Sequence, residues 1–358
     1  MTAIWYDAPS HAAGAALVAR LGGVAAELRQ LGVRVRAPQE QATHAARELG
    51  LVANPAGLQR LGVVVETMNP PAVRAFWETV LGYEQTADGL ADPLQRDPAF
   101  SVRRLAEPRP LRNRIHVDVV RPEAAVLRAR ETTGREPTGP FGVMLPDDEG
   151  NEVDLVPGGT LPGTTDWQTL FGAMTFYRTT TPEEASRFVT TVAELADNAE
   201  VPLMLDVRPE GVVVDSGKDR WEDGDSADPK FVALAQQIET AAKDLGLRAD
   251  PAPLRFVQFG IDAIDIPAVR AFWAALLGYV EDERPYLSDL YDPRRLNPVL
   301  FFQQLDEPRE QRNRIRFELA VPDRARKLET ALAAGGRVRS ENPYLLADPE
   351  GNEVLLTT

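Results

Sequence analysis

The chain has 358 residues and a formal net charge of -15, with 39 Lys and Arg against 54 Asp and Glu. That balance argues against nucleic acid, which needs a basic face. The absence of cysteine excludes disulfides, thiolate nucleophiles and Cys-ligated zinc. With no apolar run of membrane length and no signal peptide, the expectation is a soluble cytoplasmic protein with no membrane partner.

In chain order, residues 1–57 read as strand, helix, strand, helix. Ala3–Tyr6 is a short apolar strand, Ala12–Gln30 an alanine-rich helix, Gly32–Ala37 an alternating strand and Gln39–Leu51 a second helix. A larger unit follows over 58–157. Leu61–Met68 is a strand, and Pro70–Pro71 open a helix whose buried face is Val73, Phe76, Trp77, Val80 and Leu81. Gly82 stops that helix. Strands are expected near Ser101–Leu105 and Asn113–Val120, a helix over Glu123–Arg130, and two last strands joined by the turn DDEGN from Asp147.

The breaker-rich stretch Pro157–Gly163 predicts a linker over 158–170. A second small domain is expected over 171–253, with a strand Met174–Tyr177, a capped helix Thr181–Asn198, a hairpin and a helix Phe231–Leu245. Residues 254–358 then repeat the large unit. NPPAVRAFWETVLGY from Asn69 returns as DIPAVRAFWAALLGY from Asp265. EPRPLRNRIHVDVV from Glu107 returns as EPREQRNRIRFELA from Glu307, and DDEGNEVDLV from Asp147 as DPEGNEVLLT from Asp348. Trp77 and Trp273 fall on apolar helix faces and read as core. Asn151 and Asn352 follow glycine in a turn and are explained by turn geometry. The two Arg-Asn-Arg runs read first as surface or inter-domain ion pairs, with anion attraction as the alternative.

The PAVRAFW-x4-LGY segment, the RNRIHVDV strand and the DxEGNEV turn resemble the vicinal oxygen chelate superfamily, the fold of glyoxalases, extradiol dioxygenases and bleomycin-resistance proteins. The small domain ahead of the second repeat resembles pterin-4a-carbinolamine dehydratase, with Glu200-Val201-Pro202 where that family has His-His-Pro; the first small domain is a shorter relative. The resemblance implies an α+β chain with two vicinal-oxygen-chelate units of paired βαβββ motifs, plus two small α+β dehydratase-like domains. Without its histidines, the dehydratase-like part is expected to be a packing or dimerisation unit.

Carrying over the superfamily's metal positions gives Gly62, His116 and Asp154 in the first repeat and Gln258, Arg316 and Leu355 in the second. Glycine, arginine and leucine cannot ligate. Strand alternation adds Glu66 and Asp118, so that Glu66, His116, Asp118 and Asp154 are expected in one cleft. This set is open to three readings. His116, Asp154 and Glu66 hold one divalent ion (Mn, Fe, Ni or Zn); or the cleft has no cofactor and His116, with Glu66 and Asp118, is a general base whose pKa the carboxylates raise; or the histidine is structural. With only His11, His44 and His116 in the chain, a three-histidine site is improbable.

In the second repeat, Arg316, Glu318 and Asp262 are expected to face one another, with Gln258, Gln304, Tyr286, Tyr291 and Phe302 lining the same cleft. A spare guanidinium edge there would take a carboxylate, phenolate or phosphate. The function expected is binding of a small molecule, aromatic or a natural product, without a cofactor. The alternatives are an isomerase, cyclase or lyase of a biosynthetic pathway working through His116, and a non-catalytic scaffold. Internal duplication leaves monomer and homodimer open.

Overall fold

The computed structural model describes residues 2–224, 226–284 and 286–358. The chain divides into two compact units, one of Met1–Leu58 with Pro157–Leu254, the other of Gln59–Val156 with Arg255–Thr358. Among the described residues no helix is long and apolar enough to cross a membrane.

In the smaller unit the two small segments share one hydrophobic cluster. Each supplies strands and two helices, and the two sets meet where Met204–Arg208 pairs antiparallel with Ala25–Arg29, setting Asp206 opposite Glu27. The helix expected over Ala12–Gln30 ends at Leu21. Gly22 and Gly23 both take positive φ and turn the chain, and Ala25–Arg29 becomes a strand paired with Gly32–Ala37. Alanine content had favoured helix there, and tertiary pairing overrides it. The expected linker is also structured: the strand Glu152–Thr160 runs through it, Gly159 and Thr160 pair with Thr169 and Gln168, and Trp167 is buried.

The larger unit contains both long repeats as α+β βαβββ elements, arranged crosswise. One sheet, called here the arginine sheet, has the strand order Arg337–Glu341, Tyr344–Ala347, Glu353–Thr357, Ile315–Ala320, Arg60–Thr67, Phe100–Arg104, Gly89–Ala91, Glu84–Gln85. It joins the opening half of the first repeat to the closing half of the second. The histidine sheet does the reverse, with Leu300–Gln304, Phe256–Ala263, Ile115–Pro122 and Glu152–Thr160 side by side. In both, the central pair is antiparallel, and the strand outside it in the same repeat is parallel and reached through a helix.

Alternation then decides what faces where. Leu61, Val63 and Val65, with Ile115, Val117 and Val119, Val257, Phe259 and Ile261, and Ile315, Phe317 and Leu319, point into one core. The helix Pro70–Leu81 adds Val73, Phe76, Trp77, Val80 and Leu81, as its spacing predicts. Trp77, Phe100, Phe259, Phe317 and Trp273 form a continuous ring stack with centroids 5.2 to 6.2 Å apart.

The repeated turns fasten this core. Trp77 Nε1 donates to Asp147 (3.1 Å) and Trp273 Nε1 to Asp348 (3.0 Å). Glu149 accepts from the backbone of Met68 and Asn69, and Glu350 from that of Ile264 and Asp265, so each caps the start of its repeat's first helix. The inner arginines of the Arg-Asn-Arg runs are not surface residues. Arg114 and Arg314 are buried, and each reaches into the turn of the other repeat. Only the outer ones, Arg112 and Arg312, make the expected ion pairs, with Glu152 and Glu353.

Candidate functional site

The crosswise pairing redistributes the expected site residues. On the arginine sheet the face away from the core carries Gly62, Val64 and Glu66 beside Arg316 and Glu318, with Arg316 opposite Val64 and Glu318 opposite Gly62. On the histidine sheet it carries His116 and Asp118 beside Gln258, Gly260 and Asp262, with His116 opposite Gly260 and Asp118 opposite Gln258. Glu66 therefore does not join His116, and Asp262 does not join Arg316.

Glu66 is bound by Arg109, whose Nη1 lies 2.5 Å from Oε2, and by Arg316 at Oε1. Burial would raise its carboxyl, but Arg316 and Arg109 together hold it below the ordinary range. A carboxylate held between two guanidiniums is a poor base and a poor ligand for a metal.

On the histidine sheet the imidazole of His116 packs against Gly260, where a Cβ would come within 2.1 Å of its Cε1. The ring of Phe301 meets it edge-on at 5.4 Å. His116 Nδ1 lies 3.6 Å from Asp262 Oδ1, and Nε2 lies 3.8 Å from Asp118 Oδ1. Gln258 Nε2 donates to Asp118 Oδ2 at 2.8 Å, and Arg112 Nη1 lies 3.1 Å from Asp262 Oδ2. Burial pushes His116 down to about 4, and the neighbouring Arg112 acts in the same direction. The expectation of a raised histidine is thus reversed: the carboxylates are present, but the loss of water around the ring outweighs them. Burial pushes Asp262 up to about 6 against the opposing pull of Arg112. Asp154, half-buried on the neighbouring strand, is raised by burial and by Glu152. No hydrogen bond or ion pair joins it to His116 among the described residues.

Among the described residues, His116 Nδ1, Gln258 Oε1 and Asp262 Oδ1 are buried on this face without a hydrogen-bond partner. Their residues are 6%, 4% and 3% exposed. Such atoms cost about 1–3 kcal/mol each in desolvation, and a cluster of them is where function is to be sought.

The other expected lining residues lie elsewhere. Tyr286 is 77% exposed on a turn, Tyr291 stacks under Arg295, and the Gln304 amide donates to the backbone carbonyls of Ala263, Ile264 and Leu305. Phe302 belongs to the core; its neighbour Phe301 is the aromatic on the site face. Phe301, Gly260 and Arg112 were missed. A glycine inside the strand run QFGID was the available signal, because it marks a close approach.

A resident metal does not fit the arginine sheet. The arginine sheet offers Gly62, Arg316 and Leu355 at the ligand positions, and Arg316 is engaged with Glu66. On the histidine sheet those positions fall on Gln258, His116 and Asp154 of adjacent strands; Gln258 Nε2 donates to Asp118, and its Oε1 has no hydrogen-bond partner among the described residues. Among the described residues no three His, Cys, Asp or Glu side chains gather into a group that could hold a metal ion.

The glyoxalase-like domain family model matches residues 62–156 and 258–357, more than half of the chain, and the chain belongs to that family. The two matches cover the larger unit and leave the small segments outside. Among solved structures, glyoxalase I from Zea mays aligns at 10% identity over 84% of this chain and 93% of its own, with a TM-score of 0.38. A point mutant of the same maize protein gives 11% identity, 84% and 94% coverage and a TM-score of 0.40. A hypothetical protein from S. aureus aligns at 16% identity over 27% of this chain and 88% of its own, with a TM-score of 0.21. Comparison with curated proteins gave no match.

Proposed function

We propose that the protein binds a small organic molecule, without a metal, on the face formed by His116, Gln258 and Asp262. The observation that carries this reading is the trio of buried, unpartnered polar atoms around Gly260. At neutral pH the imidazole is uncharged and Asp262 is ionised, so acceptors outnumber donors. The ligand that matches is one presenting hydroxyl or amino groups, with an apolar part against Phe301. Membership of the glyoxalase-like family is consistent with small-molecule binding.

The test uses phenol, benzyl alcohol and benzylamine as probes, followed by the His116 imidazole resonances and by thermal unfolding, with elemental analysis of the purified protein. Supporting results are a saturable shift at His116 with at least one probe, its loss in Asp262→Asn, and no stoichiometric metal. A stoichiometric ion that is lost in His116→Ala or Asp154→Ala, with no probe acting on His116, would sink the reading in favour of a metal centre.

A second reading, proton-transfer catalysis as in an isomerase or lyase, is favoured by Asp262. A carboxyl near 6 beside a neutral imidazole is better poised as a base than His116. For the smaller unit, we keep the dehydratase-like reading as a proposal. It rests on the strand, helix, two strands and helix order that occurs in both segments.

A further inference from the structure

On the outer face of the arginine sheet, Glu66 and Glu353 are held by arginines and Glu318, on the strand between theirs, is not. Glu66 pairs with Arg109 and Arg316. Glu353 takes Nε and Nη2 of Arg312 at 2.8 and 2.7 Å. Glu318 forms no hydrogen bond or ion pair among the described residues. Its side chain is half-buried, and its oxygens are not among the sealed polar atoms, of which the Nε of Arg316 is one. Arg316, two residues earlier on the same face, does not turn to it. That side chain sits opposite Val64 and reaches along the neighbouring strand to Glu66, away from Gly62 and Glu318.

The surroundings of Glu318 follow from register. Leu355 is its partner on one neighbouring strand and Gly62 on the other, and Leu345 is the partner of Leu355 on the strand beyond. The four make one row across the sheet, at about 4.8 Å per strand. Alternation turns this row outward, because the adjacent Val63, Phe317, Val354 and Leu346 point into the core. Leu345 and Leu355 are half-buried and lie outside that core. Gly62 is open: a Cβ there would meet nothing closer than 3.7 Å. The carboxylate thus stands between an apolar shelf and an open space. The pseudo-equivalent of Glu318 on the histidine sheet is Asp118, in register with Gln258, whose amide donates to it at 2.8 Å. Gly62 stands where Gln258 stands there, so on the arginine sheet the internal donor is missing. A half-buried carboxylate without a partner is stabilised by a counter-charge that arrives with a ligand.

We propose that the arginine sheet carries a second ligand site, separate from the His116 face, for an organic monoamine in its ammonium form. The ammonium is held by Glu318, with room over Gly62, and the apolar body lies along Leu355 and Leu345.

The experiment is calorimetric titration of the full chain at neutral pH with hexylamine, its neutral counterpart 1-hexanol, and methylamine. Hexylamine is expected to bind about tenfold or more tightly than methylamine, which has the charge without the apolar body. 1-Hexanol is expected to bind about tenfold or more weakly than hexylamine. Glu318→Gln keeps the shape and removes the charge, and is expected to weaken hexylamine about tenfold or more. Asp262→Asn, on the histidine sheet, is expected to retain hexylamine binding. Leu355→Ala is expected to weaken hexylamine several-fold and leave methylamine unchanged, a pattern that damage to the fold cannot mimic. The proposal is overturned if hexylamine does not bind, if 1-hexanol binds as well, or if Glu318→Gln binds hexylamine as the wild type does. Binding lost in Asp262→Asn and kept in Glu318→Gln would place the amine on the His116 face, and would also overturn it. Should Glu318→Gln fail to fold, unchanged hexylamine binding in Leu355→Ala decides against the proposal.

Discussion

The imidazole of His116 occupies the space beside Gly260 on the adjacent strand, where a Cβ would come within 2.1 Å of Cε1 and 2.3 Å of Nε2. The sister sheet has Arg316 opposite Val64 at the same crossing, and there the long side chain turns aside to Glu66. Gly260 is thus a positioning residue, because its lack of a side chain lets the histidine lie down against the sheet. Gly260→Ala should displace the ring and cost about 1–3 kcal/mol, the usual penalty for overpacking. Gly62→Ala, with no atom nearer than 3.7 Å to its new Cβ, should stay within about 0.5 kcal/mol of wild type. Urea unfolding of the two variants checks the contrast. Equal costs would refute the assigned role of Gly260.

The pair His116 and Asp262 should give opposing pH dependences. His116 falls from 6.5 to about 4 on folding, so its contribution is complete above pH 6.5 and is lost as pH drops toward 4. Asp262 rises from 3.8 to about 6, so its contribution is complete below pH 3.8 and is lost as pH climbs toward 6. Each amounts to about 3 kcal/mol across its window, and between pH 4 and 6 the two nearly cancel. Relative to wild type, His116→Gln should therefore lose stability as pH rises from 4 to 6, while Asp262→Asn should gain it. Unfolding free energies of the three proteins at pH 4, 5, 6 and 7 give the comparison. Parallel curves would show that neither group is perturbed as described.

Much of this architecture was legible because burial patterns are local. The face Val73, Phe76, Trp77, Val80 and Leu81 follows from helical spacing alone, and the alternation around His116 follows from a two-residue period. The partner of each sheet half was not legible. Whether Arg60–Thr67 pairs with Ile115–Pro122 or with Ile315–Ala320, the same residues turn to the core, so the sequence pattern is identical for both topologies. That one undetermined choice moved Glu66 away from His116 and Asp262 toward it. The direction of the histidine shift was lost for a related reason, since carboxylates can be counted in a sequence but the water removed by Phe301 and the neighbouring strand cannot.

The crosswise choice is enforced by a reciprocal clasp. Arg114 Nε donates to Asn352 Oδ1 at 3.0 Å, and Arg314 Nε to Asn151 Oδ1 at 2.8 Å. Their backbone amides donate to Asn313 and Asn113 of the opposite repeat at 2.9 and 2.8 Å. Both arginines are almost fully buried, 2% and 1% exposed, and both are pushed down by that burial. Removing an asparagine leaves a buried Nε–H without its acceptor, while the Nη groups keep the backbone carbonyls they already bind. Asn352→Ala strips the acceptor from Arg114 Nε and from Asn313 Nδ2, and should cost about 2–4 kcal/mol. Asn151→Ala should cost a similar amount, because Arg314 and Asn113 lose the matching acceptor. A double-mutant cycle with Arg114→Met and Asn352→Leu should show a coupling of roughly 1–3 kcal/mol, and Arg114 with Asn151 almost none. Coupling of Arg114 to Asn151 in place of Asn352 would mean that each repeat folds on itself, and the two faces would then have to be assigned afresh.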